Sequence, residues 1–337
     1  MSTMVNSGLY ARLGRTGPQI SRIGCGTVNF GGRVEEAAAC ELLDHALECG
    51  VNLVDTADVY GWRVWKGWTE EVIGRWLAAA PGRREQVVLA TKVGRAMGLG
   101  PNPHGGGLSA RYIVAACEAS LRRLRTDWID LYQMHCSDPS ARWDEVWEAM
   151  ETLVAQGKVR HVGSSNFAGW NLAAAQEAAA RAGGPGLVSE QCVYNLVTRH
   201  PELEVIPAAG AYGIGVLVWS PLHSGMLGGV LRKLRAGTAV KSAQGRAAAQ
   251  LDEHRGAIAA YERFCAEAGR DPAEMGLAWV ASRPGVTGVI AGPRTPEHLD
   301  GALAAIERPL TADEQARLDE LFPPVGRGGP APDAWIA

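Results

Sequence analysis

The sequence lacks paired-cysteine and metal-ligand motifs. Its seven cysteines are odd in number and widely spaced, and no Cys-x-x-Cys occurs. This pattern is typical of reduced thiols in a cytoplasmic protein rather than of a disulfide framework. The His-Glu-x-x-His motif is also absent and the eight histidines are scattered, so no metal site is predicted.

An excess of charge of one sign is missing as well. The chain has 33 basic and 36 acidic residues, which gives a net charge of −3. Such a balance provides no broad cationic surface to neutralise a phosphate backbone or an anionic bilayer. We therefore expect neither nucleic acid nor a membrane among the partners of this protein.

Long apolar runs are lacking too. No segment approaches the ~20 apolar residues of a membrane-spanning helix. The first seven residues contain neither the basic region nor the apolar core of a secretory signal. We expect a cytoplasmic protein.

The apolar residues that are present are enough for a sizeable core. The 337 residues are 47% hydrophobic and 20% charged, which is the composition of an ordinary globular protein. The length is about twice that of a usual ~150-residue domain. It leaves open two modest domains or one large fold around a single core.

Short runs rich in Val, Ile and Leu alternate with Ala- and Leu-rich stretches of helical periodicity. The predicted strands are residues 20–25, 51–55, 87–92, 128–135, 158–164, 187–191, 215–220 and 286–290. The predicted helices include residues 35–49, 69–80, 110–124, 143–156 and 170–182. Eight strand–helix units of about 38 residues predict one α/β domain over the whole chain, a (β/α)8 TIM barrel. A short hairpin within residues 9–20 precedes it.

The competing doubly wound sheet needs a Gly-x-Gly-x-x-Gly turn after its first strand. The candidate at residues 24–29 lacks the third glycine, so this alternative is disfavoured. Two segments, residues 97–108 and 222–255, exceed ordinary connection lengths. We expect them to be long loops at the C-terminal face of the barrel that act as lids or ligand clamps, with flexible surface padding as the alternative.

Polar or aromatic side chains follow seven of the predicted strands at the face where such barrels carry their function. They are Asp55, Lys92, His135, Asn166, Gln191, Trp219 with Ser220, and Gly292 with Arg294. Each has a structural alternative, because a strand-end Asp or Asn often caps a turn and a lone His or Trp is often packed in the core. Lys92 is harder to explain structurally, since a buried lysine is costly without a counter-charge such as Asp55 on the adjacent strand.

The motifs of this face, taken in order, resemble those of the aldo-keto reductase superfamily over residues 13–322. They are Asp55-Thr56-Ala57-Asp58-Val59-Tyr60-Gly61, Ala90-Thr91-Lys92, Asp130-Leu131-Tyr132-Gln133-Met134-His135, Gly163-Ser164-Ser165-Asn166-Phe167, Trp219-Ser220-Pro221-Leu222 and Gly292-Pro293-Arg294-Thr295-Pro296. Residues 60–71 and 166–170 look most similar to a bacterial branch that includes deoxysugar and antibiotic-tailoring ketoreductases.

The resemblance implies four catalytic residues. Tyr60 would be the general acid that protonates a carbonyl oxygen while a nicotinamide delivers hydride to the carbon. Lys92 would lower the pKa of this phenol, and Asp55 would hold the ammonium group. His135 would orient the carbonyl oxygen by a hydrogen bond.

The resemblance also implies an NADPH site. Ser165, Asn166 and Gln191 would bind the nicotinamide carboxamide, and Trp219 would stack against the ring. Ser220, Leu222 and Gly225 would follow the pyrophosphate, Arg246 would reach a phosphate, and Gly292 and Arg294 would form an anion site at a helix start. Asp300-Gly301-Ala302 stands where many relatives have a Glu-Asn pair for the adenine, so selectivity for the 2′-phosphate would rest on Arg294.

We therefore expect an NADPH-dependent reductase of a small-molecule carbonyl, with a homo-oligomer as an open option. The substrate would be a nucleotide-linked keto-deoxysugar or a polyketide-type intermediate, because residues 60–71 resemble that branch and the tail at residues 332–335 could cover the barrel mouth. Trp62, Trp65 and Trp68 beside Tyr60 could wall a substrate pocket, with subunit packing or helix burial as the alternative use of these rings. Three alternatives remain at this stage. They are a general aldehyde reductase, an enzyme that uses Lys92 as a Schiff-base nucleophile, and a non-catalytic nicotinamide-binding regulatory subunit.

Overall fold

A two-stranded hairpin begins the fold in a computed structural model that describes residues 8–98, 105–238 and 246–326, apart from the side chains of residues 246 and 247. Strand β1 (Tyr10–Arg12) pairs antiparallel with β2 (Gln19–Ser21). Leu13 and Ile20 of this hairpin are fully buried and pack with residues inside the barrel. The predicted hairpin is confirmed, and it closes one end of the barrel.

The barrel itself consists, within the described residues, of eight parallel strands. They are β3 (Ile23–Gly26), β4 (Leu53–Asp55), β5 (Val88–Val93), β6 (Ile129–Met134), β7 (Val159–Ser165), β8 (Leu187–Val193), β9 (Gly215–Trp219) and β10 (Val286–Ala291). Neighbouring strands follow chain order, and β10 pairs with both β9 and β3 to close the cylinder. The predicted (β/α)8 TIM barrel is confirmed.

Helices connect the strands on the outside. Those in the described part of the chain are α1 (Glu36–Glu48), α2 (Trp68–Ala78), α3 (Ala110–Leu124), α4 (Trp143–Ala155), α5 (Gly169–Ala182), α6 (Val205–Tyr212), α7 (Val230–Arg235), α8 (Arg246–Glu267), α9 (Pro272–Ser282), α10 (Pro296–Glu307) and α11 (Ala312–Leu321). None of the helices in residues 8–98, 105–238 and 246–326 is both long and apolar enough to cross a bilayer.

The predicted strand at residues 20–25 is wrong at its start, because two different strands share that run. Ile20 belongs to the hairpin, and the barrel strand begins only at Ile23. Arg22 lies at the junction. Its N–H donates to the carbonyl of Leu9 (2.7 Å), and its own carbonyl accepts from Val289 (2.8 Å), so the chain changes sheets at this residue.

The predicted long loop at residues 222–255 is also wrong in part, because it contains α7 and the start of α8. Helix α7 is too short to be stable by itself. Glu262 of α8 accepts hydrogen bonds from the N–H groups of Leu231 (2.7 Å) and Arg232 (2.8 Å) in its first turn. This cap comes from another helix, so no local pattern could reveal it. The other predicted loop follows β5; its residues 99–104 lie outside the described ranges.

The inward-facing side chains form an apolar layer beneath a polar one. Leu53, Ala90, Leu131 and Leu217 belong to the cluster inside the barrel. Side chains two positions further along a strand point to the same face. That position is occupied by Asp55 in β4, Lys92 in β5, Gln133 in β6 and Trp219 in β9. Because side chains alternate with a period of two along each strand, these polar residues all lie at the C-terminal mouth of the barrel.

Candidate active site

A buried ion pair lies at the centre of the barrel mouth. Lys92 Nζ donates to Asp55 Oδ2 (2.6 Å) and to the carbonyl oxygen of Thr56 (2.8 Å). Burial alone would lower the pKa of Lys92, but attraction to Asp55 and Tyr60 outweighs it, so the pKa of this ammonium group is raised. Lys92 is therefore held as a cation, with Asp55 as the predicted counter-charge.

Two glutamines hold the other oxygen of Asp55. Gln133 Nε2 donates to Asp55 Oδ1 (3.1 Å), and Gln191 Nε2 donates to the same atom (2.8 Å). Gln133 is fully buried and was missed in the sequence, although a glutamine inside an apolar strand is itself a signal. The carboxylate is thus fixed from both sides, which orients Lys92.

Tyr60 lies above this pair on the loop between β4 and α2. Its hydroxyl is 3.5 Å from Lys92 Nζ, and the ammonium lies 5.0 Å from the centre of its ring. Lys92 lowers the pKa of Tyr60, as expected, but the net pKa of the phenol is raised. Desolvation raises the pKa of the phenol, and the opposing effect of Lys92 is smaller. Tyr60 is therefore a protonated, desolvated hydroxyl that can donate a proton.

His135 lies directly after β6 at the same mouth. Its ring centre is 6.1 Å from that of Tyr60, at an interplanar angle of 78°. Burial, together with the charges of Lys92 and Arg95, lowers the pKa of His135 to about 3, so the ring is neutral. Nδ1 is buried and has no hydrogen-bond partner among the described residues. A neutral imidazole with an unused nitrogen fits the expected role of a hydrogen-bonding group.

The tryptophans near Tyr60 divide into two kinds. Trp62 and Trp65 are each 50% exposed, and Trp62 packs edge-on against Tyr60 with ring centres 6.2 Å apart. Trp68 is instead buried at the start of α2. For Trp68 the structure shows the alternative of helix burial, because its ring is used in packing.

Residues 22–322 match the model of the aldo/keto reductase family. The chain belongs to this family. It is 45% identical over 329 residues to an uncharacterized oxidoreductase of Bacillus subtilis. The aligned region covers 97% of this chain and 99% of that protein.

More distant relatives have different names. Versiconal hemiacetal acetate reductase of Aspergillus parasiticus is 30% identical, over 94% of this chain and 97% of its own length. A probable voltage-gated potassium channel subunit beta of Arabidopsis thaliana is 31% identical, over 88% of this chain and 91% of its own length. Family membership and the names of the two oxidoreductase relatives support carbonyl reduction as the general activity.

Aldo/keto reductases generally use NAD(P)H, and the rim of the barrel offers groups that fit a nicotinamide. Trp219 is 36% exposed, and its Nε1 donates to Asn166 Oδ1 (3.2 Å). Asn166 Nδ2 in turn donates to the carbonyl of His135 (2.9 Å) and to Ser165 Oγ (2.9 Å). Ser165 and Asn166, two of the three expected carboxamide ligands, are thus held rigidly beside an aromatic face. Asn166 Oδ1 accepts one of these hydrogen bonds and has a second lone pair for a ligand.

Gln191 is bound more deeply than the other expected carboxamide ligands. It is buried, and its Nε2 is shared between Asp55 and Gln133 (2.8 and 3.2 Å). Only its Oε1 remains for a ligand among the described contacts. Gln191 therefore connects the expected cofactor face to the Asp55–Lys92 pair.

The loop after Trp219 has an unusual backbone. Ser220, His223 and Ser224 all have positive φ values (53°, 46° and 57°), and Gly225 follows at 94°. Non-glycine residues in this region are strained, and strain of this kind clusters at ligand-binding loops. The segment that contains Ser220, Leu222 and Gly225 is therefore suited to the expected contact with a pyrophosphate.

A cationic cluster follows β10 at the start of α10. The capping residue Thr295 makes no side-chain bond to a backbone N–H of the helix, and its hydroxyl instead contacts the Glu297 carboxylate, whose pKa this contact lowers. Arg294 and Lys233 both lower the pKa of His298, after the larger effect of burial, so these three groups lie near one another. Lys233 and His298 were missed in the sequence. The side chain of Arg246 lies outside the described residues.

Asp300 does not stand free to meet an adenine. Its Oδ1 lies 2.7 Å from Nε2 of His45 on α1. Cys49 Sγ lies 3.6 Å from the same nitrogen. Asp300, which stands where many relatives have part of a Glu-Asn pair, therefore contributes to the contact between α10 and α1.

Buried acids behind the site were also missed. Glu70 is fully buried, pairs with Arg123 Nε (2.7 Å) and accepts from Thr91 Oγ1 (2.6 Å). Both carboxyl oxygens of Asp58 are buried without a hydrogen-bond partner among the described residues. Desolvation, and then the charge of Glu70, raise the pKa of Asp58 well above its usual range. Glu70 thus links the start of α2, which follows the loop that carries Tyr60, to β5 and α3.

Proposed function

We propose that this protein reduces a ketone or aldehyde to an alcohol with NADPH, and that Tyr60 donates the proton. The observation that carries the proposal is the chain of contacts from the Tyr60 hydroxyl to Lys92 (3.5 Å) and from Lys92 to Asp55 (2.6 Å). A desolvated acid directly beside a fixed cation is suited to proton donation, because the cation stabilises the anion that remains.

The roles of the side chains follow from this geometry. As Tyr60 Oη gives its proton to the carbonyl oxygen, negative charge develops on the phenolate, and Lys92 Nζ stabilises it. Asp55, held by Gln133 and by Gln191, keeps the ammonium in place. Neutral His135 hydrogen-bonds the carbonyl oxygen and sets its direction.

A bound nicotinamide would supply the hydride for the carbonyl carbon. Ser165, Asn166 and Gln191 are the residues that would hold its carboxamide, and Trp219 would cover one face of the ring. Gly292 and Arg294 would bind phosphate, with Lys233 and His298 beside them. The positive charges of Arg294 and Lys233 support NADPH over NADH, because the 2′-phosphate is an additional anion that these cations can bind.

Tyr60→Phe tests the proposed acid. Loss of general acid catalysis should lower kcat by ~10²–10⁴-fold. NADPH binding, followed by fluorescence, should be unchanged because the ring is retained. Tyr212→Phe is a matched control, since the hydroxyl of Tyr212 contacts Glu177 on the outer helices (3.1 Å). Wild-type turnover in Tyr60→Phe would show that another group donates the proton.

The proposed substrate is a ketone on a bulky biosynthetic intermediate, either a nucleotide-linked keto-deoxysugar or a polyketide-type molecule. The exposed rings of Trp62 and Trp65 support this choice, because aromatic faces favour ring-bearing ligands by ~0.5–1.5 kcal/mol beyond area burial. Comparison of kcat/KM for such ketones with that for simple aldehydes tests it. Trp62→Ala should selectively impair the bulky ketones, whereas Trp170→Ala, on the exposed face of α5, should impair neither.

A general aldehyde reductase is the alternative that this comparison detects. In that case simple aldehydes would be the best substrates and Trp62→Ala would have no effect. The potassium channel beta-subunit relative keeps a second candidate open, a nicotinamide-binding regulatory subunit. Multiple-turnover oxidation of NADPH by a carbonyl substrate would exclude it.

The Schiff-base alternative is disfavoured by the geometry. A nucleophilic lysine must be neutral, whereas Asp55 raises the pKa of Lys92 and the side chain is almost fully buried. Borohydride should therefore fail to trap a carbonyl substrate on Lys92.

A further inference from the structure

A small surface pocket lies beside Tyr60, between the loop after β3 and the loop after β4, and its lining residues have no role in the proposed proton transfer. It is lined by residues 28–33 of the loop after β3 and by Gly61, Trp62 and Arg63 of the loop after β4. Its volume is about 70 Å³. Because Trp62 lines it and also packs against Tyr60, the pocket adjoins the proposed general acid.

Two arginines line this pocket. Arg63 crosses from its own loop to the neighbouring one, where its side chain lies against Gly32. A β-carbon built on Gly32 would be 2.8 Å from Arg63 Cδ and 3.1 Å from Nη1. Arg33 is the next residue along that loop. The glycine therefore permits Arg63 to lie beside Arg33.

The positive charge of this pair is not neutralised within the described residues. Arg33, Arg63 and Arg294 form no salt bridge there, although the chain as a whole has more acidic than basic residues. After desolvation, the groups that lower the pKa of Arg33 are two further cations, Arg294 and Arg63. Like charges gathered without a counter-charge are unfavourable in isolation, and they create a strong local field for an anion.

Arg33 and Arg63 are distinct from the cations expected to serve the cofactor. Arg294 lies with Lys233 and His298 at the start of α10. Arg33 and Arg63 line the pocket together with Trp62, whereas Arg294 acts on Arg33 from outside that lining. An anion bound between Arg33 and Arg63 would thus be attached to the substrate side of the mouth.

We infer that Arg33 and Arg63 form a subsite for a phosphate or diphosphate group carried by the carbonyl substrate. The inference rests on the proposed function and narrows it. It favours a phosphorylated or nucleoside diphosphate-linked carbonyl compound over an uncharged polyketide. Arginine suits this task because its planar fork of donors can bind phosphate oxygens in pairs.

Calorimetric titration with inorganic pyrophosphate tests the subsite without requiring catalysis. The titration is done with saturating NADPH, so that the cofactor phosphates occupy their own site, and is repeated without NADPH. We expect binding at millimolar concentrations or below, and weakening by about 10-fold or more in Arg33→Gln and Arg63→Gln. Arg317→Gln, an exposed arginine on α11 that pairs with Glu320, should bind like the parent.

Three results would overturn the inference. They are no binding to the parent, equal binding to the parent and both pocket variants, and binding that NADPH abolishes while Arg33→Gln weakens NADPH itself. The last result would assign the arginines to the cofactor. Because the readout is binding, a protein that reduces no carbonyl but binds pyrophosphate through Arg33 and Arg63 would refute the proposed function and leave the anion subsite standing.

Inhibition of an uncharged aldehyde's reduction then tests the diphosphate-linked substrate class. Uridine diphosphate should compete with 4-nitrobenzaldehyde at least about 10-fold better than uridine does. The difference should disappear in Arg63→Gln, whereas Arg317→Gln should keep it and leave kcat for the aldehyde unchanged. Equal inhibition by the two compounds in the parent would refute a nucleoside diphosphate substrate.

Discussion

Glu190 is a buried acid whose protonation should set part of the pH dependence of stability. It lies in β8 with no exposed surface, accepts a hydrogen bond from Ser164 Oγ (2.5 Å) and accepts another from the N–H of Phe167 (3.0 Å). Burial raises the pKa of Glu190 to about 7, despite the opposing hydrogen bonds. The residue thereby holds the turn that carries Ser165 and Asn166.

The sign and size of the effect follow from linkage. The folded chain binds this proton more tightly than the unfolded chain, whose reference pKa is 4.5. The stabilisation is therefore fully present below the unfolded value and is lost as pH rises through about 7. Between pH 5.5 and pH 8 the two values give a loss of about 2 kcal/mol in the free energy of unfolding.

Glu190→Gln should remove this dependence while keeping the turn intact. Its side-chain oxygen can still accept from Phe167, and its amide can donate to Ser164 Oγ, whose hydroxyl already lies 3.3 Å from the carbonyl of Ser189. The parent loses about 2 kcal/mol in its free energy of unfolding between pH 5.5 and pH 8, and the variant should not. The difference in unfolding free energy between variant and parent should therefore rise by about 2 kcal/mol over this range, or by a few degrees in Tm.

Denaturant unfolding of both proteins across this pH range measures the difference. Buried His135 acts in the opposite direction, since its pKa is lowered and its stabilisation is lost as pH falls below the usual value of 6.5. That contribution is the same in both proteins and cancels. A difference between parent and variant that does not change with pH would show that Glu190 is ionised throughout, and would refute the reasoning.

Three further predictions concern the site. Lys92→Met should lower kcat by at least about 10²-fold in steady-state kinetics. In the double variant with Tyr60→Phe, kcat should fall by much less than the product of the two single decreases, because the pair acts as one unit. A decrease equal to that product would contradict this. Arg294→Ala should weaken NADPH by about 10- to 100-fold and leave NADH nearly unchanged in binding titrations, and equal losses would be the adverse result. Gln133→Leu should cost about 1–3 kcal/mol in urea unfolding and lower kcat with little change in the Kd of NADPH, since Asp55 loses a donor; an unchanged kcat would argue that Gln191 suffices.

The periodicity of the sequence determined the barrel and the face that carries the site. Runs of branched apolar residues separated by helical stretches predict eight parallel units, and the side-chain period of two in each strand determines which residues point inward. Asp55, Lys92 and His135 could be identified because each ends an apolar run. Tyr60 depended on the resemblance of its motif, since a loop tyrosine has no periodicity to mark it.

The tertiary structure decided how these groups act. Gln133 and Gln191 meet at Asp55 across 78 and 136 residues of chain, a convergence that only barrel closure produces. The direction of the Tyr60 pKa depends on how closely the surrounding loops exclude water, which no local pattern encodes. Desolvation therefore outweighs the nearby cation that the motif predicts.

The same distinction applies at the edges of the fold. The short apolar run at residues 20–25 is typical of one strand, but hydrogen bonds at Arg22 divide it between two sheets. Separate arginines at positions 33, 63 and 294 are unremarkable in the sequence and become a cationic cluster only when three loops converge. Local periodicity specifies each element by itself, whereas charge, solvation and capping depend on distances between elements, and those distances exist only once the barrel has closed.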